Sequence, residues 1–470
     1  MKSLIAAALF ILFFFSACTK PGTDGVPGGL TAFEVRVLQR VPVSAIIEWD
    51  GVVNLNMSNS DTVKYKIYLN NRLVDSNLLR RRDTLTGLSG DTLYNGKVIA
   101  YTRADTVSAP FVLHKINELI VFNSEDLFEV YNAYAGVRLW NKPWHIYTYS
   151  DGAPTISHDT VFFSNSNLAG TNTVYAAHLK TGVPIWSAVP PVPGDVSLAR
   201  GTGPVYNKGQ IIVTGTKDIR ALNSVNGQTL WSYPQENYSL GTTPVCAGNK
   251  IFAGGQYTMV ALNESNGSKA WEFPTGQTSK RPLVTDRLLI FGVNKKVIAL
   301  DQQTGAVAWQ RTMTEETFNI LPVLADDLVI FFVAADGVYA VNKNTGATVW
   351  KRNVWASYVS VASGDGKFFY YDYSLNKLFA LDAKTGNQLW ERSNLNPTIS
   401  SGVSEMVYAN HSIYCGVGIT MYGVHGILAV INGATGAQVN RTLSYSDVIS
   451  KPTIKINDTV YYTADHGNFR

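Results

Sequence analysis

The sequence predicts an all-β protein in two parts, a small β-sandwich followed by a β-propeller of eight blades. Three observations carry this. A glycine-centred repeat recurs eight times from residue 116 onward; short alternating segments bounded by Asn, Asp and Gly turns fill the region before it; and charged residues make up only 16% of the chain beside 39 Gly, 24 Tyr and 20 Phe. Such a balance belongs to many short strands joined by tight turns and not to helix bundles. At 470 residues the chain exceeds what one hydrophobic core sustains, so more than one domain is expected. Formal net charge is +4 and the one basic cluster is Arg80-Arg81-Arg82, which reads as a solvated loop or strand edge. No nucleic-acid partner is expected.

Residues 1–17 read as a signal peptide. Lys2 supplies the positive start, and residues 4–15 form an apolar run of signal-peptide length, short for a bilayer span. The run ends in Phe15-Ser16-Ala17-Cys18, which resembles the bacterial lipobox. That resemblance implies that Cys18 becomes the acylated N-terminal residue, and a doubly acylated terminus anchors firmly. The membrane is thus expected to be met through this anchor only. Residues 18–30 are rich in Pro and Gly and read as a flexible tether. Thr19-Lys20-Pro21-Gly22 brings no acidic run behind the anchor, which favours an outer-membrane lipoprotein facing the periplasm over one on the cell surface.

The span 31–115 is the expected sandwich, with strand-like segments at 44–49, 63–69 and 96–102 between turn residues. Its segment Leu85-Thr86-Gly87-Leu88-Ser89-Gly90-Asp91-Thr92-Leu93-Tyr94 and the run through Ala100 resemble a fibronectin type III domain. The resemblance implies that a Leu and the Tyr fill the corner between two strands, while Val98 and Ala100 continue inward. It also implies that Trp49 takes the place of the family's buried tryptophan on its second strand, and Tyr65 with Ile67 that of the strand after it. Every one of these roles is structural, so the domain is expected to be a spacer or interaction module.

Residues 116–470 carry the repeat. Clear copies are Ala261-Leu262-Asn263-Glu264-Ser265-Asn266-Gly267-Ser268-Lys269-Ala270-Trp271, Ala299-Leu300-Asp301-Gln302-Gln303-Thr304-Gly305-Ala306-Val307-Ala308-Trp309 and Ala380-Leu381-Asp382-Ala383-Lys384-Thr385-Gly386-Asn387-Gln388-Leu389-Trp390. The anchor glycines are Gly136, Gly182, Gly227, Gly267, Gly305, Gly346, Gly386 and Gly436, spaced 38 to 50 residues apart, a period that fits four-stranded blades. The Asp or Asn four residues before the Gly can bond the turn backbone, and the Gly can take positive φ. Four residues after it stand Trp140, Trp186, Trp231, Trp271, Trp309, Trp350 and Trp390, with Asn440 in the eighth copy. A Trp at a fixed place on an outer strand can dock one blade on the next, and the junction at Asn440 is expected to be weaker.

These residues resemble the pyrroloquinoline-quinone (PQQ)-type propeller repeat, whose docking motif reads Ala-x-Asp-x-x-Thr-Gly-x-x-x-Trp. That family includes quinoprotein dehydrogenases and cofactor-free binding propellers of the outer-membrane assembly (BamB) type. The dehydrogenases use a disulfide between adjacent cysteines, a calcium held by acidic and amide side chains, and an Asp base. This chain has only Cys18, Cys246 and Cys415, and no role-complete catalytic set. Glu315-Glu316 reads as two solvated acids. No cofactor or metal is expected, and Cys246 and Cys415 read as structural thiols in apolar strands. A quinoprotein dehydrogenase is the weakest of the readings.

The expected function is therefore binding or scaffolding of protein partners, with a glycan-binding surface adhesin as the alternative. Links that follow the Trp strands lead to strands opening at Pro154, Pro204, Pro244, Pro282, Pro322 and Pro452, and they carry Trp144, Tyr147, Tyr149, Tyr233, Tyr238, Trp355 and Tyr358. Loop-borne aromatics on one rim supply rigid contact area, though packing over strand ends is a competing use for them. The tail 451–470 begins a further blade and is expected to complete the first. Both Glu118–Asn123 and 458–464 then offer the same second strand, so one must be displaced.

Overall fold

The fold was obtained as a computed structural model that describes residues 29–41, 44–55, 62–89, 92–113, 118–123, 127–132, 137–143, 148–149, 152–167, 173–188, 202–215, 217–235, 242–255, 257–276, 281–315, 317, 321–356, 359–393, 395, 402–419, 427–443 and 450–461. Among the described residues every regular element is a strand. The chain divides into two compact units, with the change at residues 114 and 115. Residues 1–28, where the signal peptide, Cys18 and most of the tether are expected, lie outside the described residues.

The first unit is a pair of antiparallel sheets. One holds Val35–Val41, Ser44–Trp49 and Arg82–Thr86; the other holds Arg72–Leu78, Lys64–Leu69, Tyr94–Tyr101 and Thr106–Leu113 in that spatial order. Alternation decides which side chains go inside. Tyr65, Ile67 and Leu69 are buried while their neighbours are not, and Val98 and Ala100 are buried opposite them. Trp49 is 1% exposed and meets Tyr65 edge-on at 5.5 Å between ring centres, which places the two sheets face to face over one core. The Tyr65 hydroxyl accepts from the Val52 amide at 3.2 Å, so its polar end is not orphaned.

The described residues of the second unit form eight sheets of four or five strands, seven of them local in sequence. The third is representative: Val205–Asn207, Gln210–Thr214, Asp218–Asn223 and Thr229–Pro234 pair in order as an antiparallel meander. Its middle strands are buried along almost their whole length, Arg220 included, because both faces are covered by neighbouring sheets. Only the outermost strand alternates exposed and buried positions.

The first sheet joins the two ends of the unit. Its order is Val137–Pro143, Leu127–Asn132, Glu118–Asn123, Ser450–Ile456, Thr459–Tyr461. Glu118–Asn123 occupies the second-strand place beside Ser450–Ile456, with Ile120 opposite Ile454. The competing segment, Thr459–Tyr461, pairs instead with the opposite edge of Ser450–Ile456. Thr453 of this sheet donates its hydroxyl to the Pro154 carbonyl of the second sheet at 2.7 Å, and one apolar cluster spans the first and eighth sheets through Ile120, Tyr131, Tyr414 and Leu428. The sheets close on themselves.

Candidate functional site

A repeated lock joins seven of the eight sheets to the next. The indole N–H groups of Trp140, Trp186, Trp231, Trp271, Trp309, Trp350 and Trp390 donate to the carbonyls of Leu179, Ser224, Glu264, Gln302, Lys343, Ala383 and Gly433, all in the following sheet, at 2.8 to 3.2 Å. Each acceptor sits in the turn that carries the next anchor glycine. At Gly305, where φ is +73°, a Cβ would stand 2.7 Å from Cδ2 of Trp271, so the site needs glycine both for the turn and for the stacked ring. The motif's Ala has its own task. Ala221, Ala261, Ala299, Ala340 and Ala380 lie directly across from the Trp of the same sheet, beside a bulge that re-aims the outer strand.

The Asp or Asn of the motif closes the hairpin. Oδ1 of Asp382 accepts from the Lys384 and Thr385 amides at 3.1 and 2.8 Å and from the Thr385 hydroxyl at 2.8 Å. These bonds hold its carboxyl below the usual carboxylate range, the Thr385 hydroxyl contributing most. Gly136 and the Asn440 side chain, which would form the eighth lock, lie outside the described residues.

The meander sorts its turns onto two faces. First and third turns share one, as the bonds from Glu264 N to Asn249 O and from Gln302 N to Arg287 O show. Second turns share the other with the links to the next sheet, seen where Thr275 N bonds Tyr257 O and Ala335 N bonds Ala356 O. On the first face several charges are paired within the protein, and Val225 is 77% exposed. Lys208 meets Glu264 at 3.1 Å, Lys343 lies 3.0 Å from Asp327 and 3.5 Å from Asp286, and Asp365 accepts from Tyr408 at 2.7 Å and pairs with His411.

The second face exposes large side chains. Trp355 is 85% exposed, Leu375 58% and Tyr257 56%. The Trp355 link is held firmly: Ala356 is buried and bonded to the second turn of the sixth sheet, and Asp336 of that turn accepts from Thr314 and Tyr339 and meets Lys351 at 2.5 Å. Burial opposes ionisation of Asp336, but these three partners outweigh it and keep its carboxyl below the ordinary range. A rigidly based, solvent-facing indole is suited to binding.

Of the other rim aromatics named from sequence, Tyr233 is not loop-borne. It sits half-buried in the strand Thr229–Pro234 and packs against the core between the third and fourth sheets, because the strand runs three residues past Trp231 before the link begins. Tyr149 pairs in the short strand Thr148–Tyr149, with its side chain outside the described set. Trp144, Tyr147, Tyr238 and Tyr358 lie outside the described residues altogether. Sequence reasoning followed only the links and passed over Tyr257, Tyr373 and Leu375, which stand in second turns; an aromatic or Leu between two apolar strands was the available signal. The strand-opening prolines are all buried, so they build the inner wall and not the rim.

Cys246 and Cys415 are buried and unpaired, and burial pushes each thiol up to about 12. Glu315 is exposed, and Glu316 lies outside the described residues. Among the described residues no group of three or more His, Cys, Asp or Glu is placed to hold a metal ion.

Closed rings of small antiparallel sheets locked by Trp–Gly contacts define a β-propeller. The family model described as outer membrane protein assembly factor BamB matches residues 125–281 and 258–469, well over half of the chain, and the chain belongs to that family. No curated protein sequence matches the chain. Among solved structures, BamB from Moraxella catarrhalis aligns with a TM-score of 0.52 at 18% identity over 68% of this chain and 94% of its own. The computationally designed Ika8 protein aligns at 0.52 with 14% identity, over 66% and 95%. A quinohemoprotein alcohol dehydrogenase from Pseudomonas putida HK5 aligns at 0.51 with 13% identity, over 67% and 70%. At such identities the likeness is one of fold.

Proposed function

We propose that this chain is a non-catalytic outer-membrane lipoprotein, anchored at Cys18 and facing the periplasm, whose eight-bladed propeller binds or scaffolds protein partners. The observation that carries the reading is Trp355, 85% exposed on a link whose next residue, Ala356, is buried and accepts from Ala335 N, with Tyr257 and Leu375 also exposed on the same face. Membership of the BamB family supports an assembly role in the envelope. The N-terminal sandwich acts in this reading as a fibronectin type III-like spacer. The alcohol dehydrogenase shares the fold, but the adjacent cysteines of that chemistry have no counterpart in a chain whose cysteines are 18, 246 and 415.

The test is a crosslinked pull-down from intact envelopes, comparing the parent chain with Trp355→Ala. Specific capture of envelope proteins that falls at least tenfold in the variant supports the proposal. Equal capture by both overturns the role of this face, and retention on a glycan array without protein capture would favour the adhesin alternative.

A further inference from the structure

The outer face of the four-stranded sheet in the first unit carries a basic and aromatic checkerboard that none of the propeller chemistry uses. Strand alternation that sends Tyr65, Ile67, Val98 and Ala100 inward sends Lys64, Lys66, Tyr68, Lys97 and Tyr101 outward. Register then interleaves them: Lys64 stands opposite Tyr101, and Lys97 opposite Tyr68. Lys66 Nζ lies 5.2 Å from the centre of the Tyr101 ring and 5.9 Å from that of Tyr68, and Lys97 Nζ lies 5.4 Å from Tyr68. Among the described residues no carboxylate lies within salt-bridge distance of these three lysines, whereas Arg36 and Arg80 of the same unit are each paired with two. Leu73, directly across from Tyr68, is 48% exposed, and Val112 is 40% exposed on the neighbouring strand.

Ammonium groups with no carboxylate partner among the described residues, tyrosines with an apolar body and polar tip, and exposed aliphatic side chains on one face match a phospholipid interface, where each finds its own depth. We infer that this face docks on anionic lipid headgroups of the membrane that holds the anchor. Charge complementarity argues for that occupant, and chain length allows it. Residues 18–30 reach at most ~45 Å, so an anchored Cys18 keeps the sandwich beside the bilayer. Docking adds a second membrane contact to the anchor and would set how the chain stands on the surface. The inference uses the lipoprotein reading only for the membrane's proximity, and it is independent of the propeller's partner.

The test is flotation of the mature chain, residues 18–470, produced without the apolar run 4–15 and without acylation as Cys18→Ser, on vesicles of phosphatidylcholine with 30% phosphatidylglycerol and on phosphatidylcholine alone. The expected result is binding to anionic vesicles that weakens with salt, with little binding to neutral ones. Lys64→Gln/Lys66→Gln/Lys97→Gln should lower the partition coefficient on the order of 100-fold, at roughly fivefold per lysine. Matched melting curves show that the triple variant is folded; if it is not, the single variants, each expected to lose about fivefold, replace it. The inference is overturned if the parent ignores anionic vesicles, if the folded variants bind as the parent does, or if soluble polyglutamate is bound in preference to the vesicles. Radiolabelled palmitate incorporation into the unmodified chain tests the lipoprotein reading separately, and its failure leaves the vesicle result standing.

Discussion

The Tyr414 hydroxyl donates to Oε1 of Glu118 at 2.8 Å across the seam between the eighth and first sheets, joining residues 296 positions apart. This seam is the junction whose outer strand carries Asn440 where the others carry Trp. Glu118 is 3% exposed, its Oε2 has no partner among the described residues, and burial pushes its carboxyl up to about 7 against the smaller downward pull of Tyr414. A buried carboxylate with one oxygen unsatisfied is costly when charged, so between about pH 4.5 and 7 the folded chain holds a proton there that the unfolded chain has lost.

The sign of the pH effect follows. Because the folded value is raised, the stability contribution of the protonated form is complete below about 4.5 and is lost as pH rises through about 7. Over that window the loss approaches about 3 kcal/mol. Urea unfolding at pH 5 and pH 8 should show the parent losing stability relative to Glu118→Gln as pH rises. A difference between the two proteins that does not change with pH would exclude this account.

The indole locks should be strong. Trp271 is 9% exposed and packs on Gly305. Trp271→Ala opens a cavity and orphans the Gln302 carbonyl, with an expected cost of about 3–5 kcal/mol in chemical denaturation. Trp271→Phe, which keeps a ring and loses the N–H, should cost clearly less.

Two glycines separate strain from contact. Gly209 has φ +84° with open space where a Cβ would go, and Gly305 has φ +73° with Trp271 against it. Alanine at Gly209 should cost about 1–2 kcal/mol from the left-handed backbone alone. Alanine at Gly305 should cost measurably more in the same assay, because the ring must also move.

Thiol chemistry gives an independent check of burial. At pH 8 in the native state Cys246 and Cys415 should resist iodoacetamide, each being buried with its thiol pushed up to about 12. Both should be labelled once the chain is unfolded in urea, as peptide mapping would show.

Much of the architecture was legible along the chain because its determinants are local. A turn that needs positive φ at Gly386, an Asx bond from Asp382 and a small residue at Ala380 facing Trp390 all fall within eleven residues, so one repeat writes one hairpin. Burial of Trp49, Tyr65 and Ile67 was expected from the fibronectin type III resemblance, and strand alternation is its physical cause. The candidate face was less legible. An aromatic in a link can be packed, as Tyr233 is, or exposed, as Trp355 is, and no local pattern distinguishes them.

The sequence by itself therefore determined the repeating unit, its turns, its docking residues and the two-part layout, since each depends on neighbours a few positions apart. Only the tertiary structure decided how the ends meet. Whether Glu118–Asn123 or Thr459–Tyr461 took the second-strand place beside Ser450–Ile456 depended on two segments more than 300 residues apart meeting at one strand with two free edges. The Tyr414–Glu118 bond at that seam likewise joins residues that no repeat period relates, and it exists only because the ring closes.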